Sequence, residues 1–291
     1  MVICPADRRR PRAGIELIRA DVRRATISRS RQREHYRAGE VLVLRHVSWE
    51  GVGAFGDKLD ARGVSWRYVD LFADQQLPDL RLARALLVMG GPMGVYEAEH
   101  YPFLREEITA IGEAVRSGMP TVGVCLGSQL LAAALGAAVK PNLAGKEVGW
   151  GSVRKTPAAL TDPILGRFRA EETVLHWHGD VFDLPEGGVA LACSPMTPHQ
   201  AFRWRSRAWG LLFHVEADPT LVRRWLGEPA MRAEAVALDP ALPERIVTEA
   251  PRYEGRLAHL QEAVLDALLG PAVLGRRSSH NKEDTSRTER F

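Results

Sequence analysis

The sequence predicts an α/β fold: a mostly parallel sheet covered by helices, continued by a portion of shorter antiparallel strands. Three observations carry this. Wholly apolar runs at 41–44, 85–89 and 121–124 read as strands buried on both faces. Between them lies helical spacing, clearest at Leu104, Ile108, Ile111 and Val115. Beyond residue 147 the apolar runs shorten and turn residues separate them closely.

Taken in order, the first 40 residues carry 11 Arg against 5 Asp and Glu, with only Ile15, Leu17 and Ile18 as an apolar cluster. They read as a disordered extension. The run at 41–44 is the first strand. A glycine-bearing connection at 49–56 leads into a helix over 55–62, and 64–71 is the second strand. The third, 85–89, ends in Gly90-Gly91-Pro92-Met93-Gly94. A helix is expected over 101–117. The stretch 120–136 reads as a strand, a tight turn at Cys125 and an alanine-rich helix. Shorter strands follow at 147–154, 173–177, 188–193 and 200–204, then an apolar strand at 209–216. Residues 227–254 are rich in Ala, Pro and Glu, and 256–269 has helical spacing. The expected organisation is an extension (1–40), a domain (41–226), a helical cap (227–270) and a disordered tail (271–291).

Composition narrows the classes. With 291 residues, 45% hydrophobic and 26% charged, the chain can bury a full core. The net charge of +3 comes from its ends, because residues 41–270 hold 23 basic against 28 acidic residues. That balance gives no electrostatic case for nucleic acid. No apolar run reaches the length of a membrane span, and the start lacks the apolar core of a signal peptide. The cysteines, Cys4, Cys125 and Cys193, are three and widely spaced. They point to a reducing, cytoplasmic setting rather than to disulfides. Neither a G-x-G-x-x-G fingerprint nor a P-loop is present, so no cofactor is expected.

The chemistry centres on Gly123-x-Cys125-x-Gly127. Small residues two positions either side of a nucleophile let a strand turn sharply into a helix and push the side chain outward. A thiol at a helix N-terminus also gains thiolate character from the oriented N–H groups. The alternative is a buried cysteine acting as a small hydrophobe. The glycine turn after the third strand, with the N–H of Leu126, offers donors for an oxyanion. Both features fall at carboxyl ends of parallel strands, where such sheets bind ligands. Further on, His214 and Glu216 lie two apart on an apolar strand and so share a face. A histidine that serves a thiol needs a carboxylate to fix its tautomer and steady its cation. Cys125, His214 and Glu216 therefore read as a triad. In His176-Trp177-His178-Gly179-Asp180 the two histidines share a strand face, as a metal pair would. No third ligand has compatible local spacing, so no metal is assigned. His178 and Asp180 are expected at the rim of the site.

These motifs together resemble the class I glutamine amidotransferase family, and within it stand-alone proteins similar to the amidotransferase domain of GMP synthase. The resemblance runs from about 41 to about 226. It rests on Gly90-Gly91-Pro92, Gly123-Val124-Cys125-Leu126-Gly127-Ser128-Gln129, Gly145-Lys146-Glu147-Val148-Gly149-Trp150 and Phe213-His214-Val215-Glu216. It implies a flavodoxin-like (Rossmann-like) core in which Cys125 attacks the side-chain amide of glutamine. It further implies that the N–H groups of Gly91 and Leu126 hold the oxyanion, that His214 moves protons, that Glu216 orients it, and that Gln129 contacts the substrate. The sequence departs from the family at Leu212, where Gln is frequent. Residues 227–291 hold no second catalytic domain, so any ammonia-accepting synthase is expected as a separate partner. The other readings are a hydrolase for a different γ-glutamyl amide, and a catalytically quiet protein that binds a metabolite or partner.

Overall fold

The computed structural model describes residues 39–73 and 75–270. Almost all of the Arg-rich extension expected over 1–40, and the tail expected over 271–291, lie outside them. In chain order the elements are β1 (Val41–Arg45), α1 (Phe55–Ala61), β2 (Trp66–Asp70), β3 (Ala85–Val88), α2 (Phe103–Arg116), β4 (Thr121–Val124) and α3 (Leu126–Ala134). There follow β5 (Val139–Pro141), β6 (Glu147–Lys155), β7 (Glu171–His178), β8 (Asp180–Phe182), β9 (Gly188–Cys193), β10 (Ala201–Trp204) and β11 (Ala208–Leu211). Three helices close the described chain: α4 (Pro219–Gly227), α5 (Pro229–Leu238) and α6 (Leu242–Leu269).

Nine strands form one sheet in the order β2-β1-β3-β4-β11-β10-β9-β6-β7, and β5 pairs with β8 in a second, two-stranded sheet. The five strands from β2 to β11 are parallel, and the remainder of the large sheet is antiparallel. This is the α/β architecture expected. The strand period of two splits the apolar residues between two cores. Leu42, Leu44, Leu86 and Val88 meet α2 and α3 through Leu104, Ile111, Leu126 and Leu130. Val41, Val43, Ala85 and Leu87 face the other way, toward Phe55 and Leu59 of α1 and Leu257, Leu260, Val264 and Leu265 of α6. No helix among the described residues is long and apolar enough to cross a membrane.

β5, β8 and α4 were not expected, and two element boundaries differ from the expectation by more than two residues. The final strand stops at Leu211 rather than running on to Glu216. There the chain leaves β4 and crosses the sheet, with the N–H of Leu212 bonded to Gln200 O and that of His214 to Leu175 O. The last helix begins at Leu242, fourteen residues before the spacing suggested. Pro243 lies in its first turn, where a missing N–H costs nothing, and Pro251 sits on its exposed face.

Candidate active site

Cys125 occupies the single residue between β4 and α3 at φ 51° and ψ −112°, a conformation rare for any residue but glycine. Strain of this kind costs on the order of 1–3 kcal/mol and is held only by its surroundings. Those surroundings are specific. The Cys125 N–H bonds to Leu211 O at 2.8 Å, and its carbonyl accepts from Ser128 N at 2.9 Å and Ser128 Oγ at 2.6 Å. A Cβ on Gly123 would overlap the Gly127 carbonyl, and one on Gly127 would overlap the carbonyl of Val88 in β3. Both flanking glycines are therefore required by backbone packing.

The thiol is buried, 6% exposed, and points toward the Trp177 carbonyl at 3.5 Å. Burial pushes its pKa up, while the charge and hydrogen bond of His214 pull it down. Desolvation thus outweighs the thiolate preference expected from the helix N-terminus. His214 Nδ1 lies 2.6 Å from Glu216 Oε1, and both side chains are almost fully buried. Burial opposes charge on the imidazole. Glu216 and Cys125 outweigh it and hold His214 well above the ordinary histidine value. The Trp225 ring from α4 packs edge-on to the imidazole at 4.7 Å and fixes its plane. Glu216 thus acts on both groups, favouring the imidazolium of His214 and opposing the thiolate of Cys125.

Gly91 and Leu126 are neighbours, since a Cβ on Gly91 would meet the Leu126 side chain at 2.7 Å. Gln129, one turn into α3, is buried and donates to the Asp180 carbonyl at 3.3 Å. Asp180 thereby joins the site's rim through its backbone. His178 turns elsewhere, its Nε2 toward Gln200 and Glu147.

Two buried groups at the site were not legible as such. Glu50, in the connection after β1, is 6% exposed. Its carboxyl sits against Gly90, where an added Cβ would overlap it and meet His214 Cε1 at 3.4 Å. Burial drives its pKa up to about 7, with His214 and His46 pulling down and Glu216 adding to the rise. His46 is fully buried and braces the glycine turn. Its Nδ1 donates to Gly90 O at 2.8 Å and its Nε2 meets Glu107 Oε1 at 3.0 Å. Burial disfavours its charge, but Glu107 prevails and its pKa is raised. The signal that could have found both is position: they follow β1 at the carboxyl end of the sheet.

Comparison with known proteins gives consistent results. The family model described as "Glutamine amidotransferase class-I" matches residues 57–226. The glutamine amidotransferase-like protein YfeJ of Salmonella typhimurium is 33% identical over 175 residues, 59% of this chain and 73% of that protein. The GMP synthase of Porphyromonas gingivalis is 31% identical over 152 residues, which is 51% of this chain and 28% of the synthase. Among solved structures, a glutamine amidotransferase from Thermotoga maritima superposes with a TM-score of 0.73 at 32% identity, covering 80% of this chain and 99% of that one. A glutamine amidotransferase from Methylobacillus flagellatus gives 0.71 at 27%, covering 84% and 100%.

Proposed function

The chain belongs to the class I glutamine amidotransferase family, and from that premise we propose that it hydrolyses the side-chain amide of glutamine, or of a related γ-glutamyl compound, with a Cys125–His214–Glu216 triad. The observation that carries the proposal is the His214–Glu216 contact of 2.6 Å, set beside a thiol held in a strained strand-to-helix turn. The raised His214 pKa supports an imidazolium beside the thiol. The charge and hydrogen bond of that imidazolium draw Cys125 toward the thiolate against the burial that pushes its pKa up.

In this reading Cys125 Sγ attacks the amide carbon, and the carbonyl oxygen takes up the negative charge. The N–H groups of Gly91 and Leu126 stabilise that oxyanion. The imidazolium of His214 gives its proton to the amide nitrogen, the C–N bond breaks and ammonia leaves a γ-glutamyl thioester. Neutral His214 then takes a proton from water, whose oxygen attacks the thioester. The C–S bond breaks, the thiolate returns and the glutamyl product departs as its acid. Glu216 keeps Nδ1 protonated throughout, so Nε2 is free to exchange protons with thiol, ammonia and water. Gln129 contacts the substrate. His46 holds the Gly90 carbonyl and so aims the following N–H.

Residues 41–226 carry the chemistry in this proposal, and 227–270 are a helical cap that contributes to both cores. The ammonia passes to a separate synthase, as it would in a two-component enzyme. Free Cys125 and Cys193 suit a reducing compartment such as the cytoplasm.

The test is ammonia release from L-glutamine by the purified protein, beside Cys125→Ala and His214→Ala. Each variant is expected to lose on the order of 10³-fold or more in kcat. If the parent protein releases none, a glutamine-like electrophile is applied and mass is sought on Cys125. Labelling without turnover points to another γ-glutamyl substrate or a missing partner. Absence of labelling would sink the enzymatic reading.

A further inference from the structure

The described residues hold a second cluster of ligating side chains, apart from the triad: Glu147, His176 and His178, whose ligating atoms all lie within 4.8 Å of one another. The sequence offered two of the three, because the third is brought by strand pairing. In the antiparallel β6–β7 register Glu147 stands opposite His178 and Gly149 opposite His176. All three side chains project from the same face, and Gly151 makes room for the His176 ring, which a Cβ there would meet at 2.9 Å.

The cluster is buried and polar without being satisfied. His176 is 3% exposed and His178 5%. Both ring nitrogens of His176, and Nδ1 of His178, make no well-aligned hydrogen bond, the Gly151 and Asp180 backbones giving them only weak polar contacts. A buried polar group left unmade costs about 1–3 kcal/mol, so three in one place call for an occupant. The carboxylate, by contrast, is already aimed. Glu147 Oε2 accepts from Thr197 Oγ1 at 2.6 Å and from Gln200 Nε2 at 2.8 Å, and lies 3.6 Å from His178 Nε2. Hydrogen bonds of this kind, one step removed, orient metal-binding carboxylates. A water molecule is the competing occupant, and zinc uptake by the stripped protein separates the two.

We infer that Glu147, His176 and His178 form a binding site for a divalent metal ion of the zinc class. Two imidazoles and one carboxylate suit Zn²⁺ and leave a fourth position open. Hard cations such as Mg²⁺ prefer oxygen sets and are excluded by the same chemistry. The site would clamp the β7 backbone, which receives the His214 N–H at Leu175 O (2.8 Å) and the Cys125 thiol at Trp177 O.

The test uses untagged full-length protein carrying Cys125→Ser, stripped with a chelator and titrated with Zn²⁺ against a chromophoric competitor. One equivalent is expected to bind, with Mg²⁺ in large excess failing to displace it. Glu147→Gln and His176→Gln are each expected to weaken Zn²⁺ by about 100-fold or more, beyond what outer residues give. Co²⁺ in the same site should show the strong visible bands of four-coordination, with no sulfur charge-transfer band. Zinc uptake unchanged in both variants, failure of the stripped protein to take up zinc, or a weak octahedral cobalt spectrum would each overturn the inference. The cobalt spectrum decides the matter on its own if a variant does not fold.

Discussion

Glu50 is a carboxyl group with His214, Glu216 and His46 as its charged neighbours and almost no water. Its pKa of about 7 sits well above the 4.5 of an unfolded chain. The unfolded state therefore releases this proton through pH 4.5, while the native state keeps it until about 7. Stability is unaffected below 4.5, falls as pH rises between these values, and stays reduced above 7. Glu50→Gln removes the ionisation and keeps the shape. Urea unfolding should show the variant more stable than the parent by roughly 3 kcal/mol at pH 8 and by much less at pH 5. The profile of kcat/KM against pH should lose an inflection near 7, because the thiolate no longer faces a second buried negative charge. Equal stability at both pH values would show that Glu50 is paired in solution. Glu50 also marks what a sequence does and does not disclose. Cys125 was legible because its chemistry is local: two glycines at fixed spacing, a strand before and a helix after. Glu50 and His46 were not, because what makes them unusual is a neighbour 40 to 160 residues away. Glu147 is the same case, since it joins the two histidines only through the pairing of β6 with β7.

At the scale of elements, the apolar runs and helical spacing gave β1, β3, β4 and α2 nearly to the residue, since burial on both faces leaves a strand no polar positions. The end of β11 was harder. Leu212, Phe213 and Val215 are fully buried, so the apolar pattern continues after the hydrogen-bond ladder has stopped. Prolines hid the start of α6, because sequence does not reveal that Pro251 faces solvent. Glycines test the same elements with opposite signs. At Gly127 a methyl group would drive into the Val88 carbonyl, where β3 and α3 touch backbone to backbone. Gly127→Ala should cost about 3 kcal/mol, the upper end for overpacking, and should abolish thiol labelling with stability. Gly255 lies on the exposed face of α6 with nothing within reach of a Cβ. Gly255→Ala should gain up to about 1 kcal/mol from helix propensity alone. Chemical denaturation of the pair reads both, and a loss at Gly255 would mean the helix is not continuous there.

For the whole molecule, the organising fact is that the last helix is built into the proposed active site that its sequence gives no hint of serving. In the second half of α6, Leu257, Leu260, Val264, Leu265 and Leu268 fill the second face of the sheet, while Leu242, Ile246 and Ala250 of its first half join the other core. From among them Gln261, 3% exposed, donates from Nε2 to Val215 O at 2.9 Å. Val215 is the residue between His214 and Glu216. The Glu216 carbonyl is held from the opposite end of the chain, by the Ala54 N–H at 3.0 Å. The segment that carries the imidazole and its carboxylate is thus fixed by the first connection and the last helix together. Gln261→Leu keeps the volume and removes only the donor, leaving a buried carbonyl unpaired at a cost of about 1–3 kcal/mol. If α6 merely fills space, the variant loses stability and its turnover per folded molecule is unchanged. If it positions the triad, kcat for glutamine hydrolysis falls by about tenfold or more with KM nearly constant, because 1.4 kcal/mol lost only in the transition state is a factor of ten. We expect the second outcome, with Gln261→Glu, which offers an acceptor in place of the donor, worse than Gln261→Leu. Steady-state kinetics on folded protein, normalised by active-site titration of Cys125, separates the two.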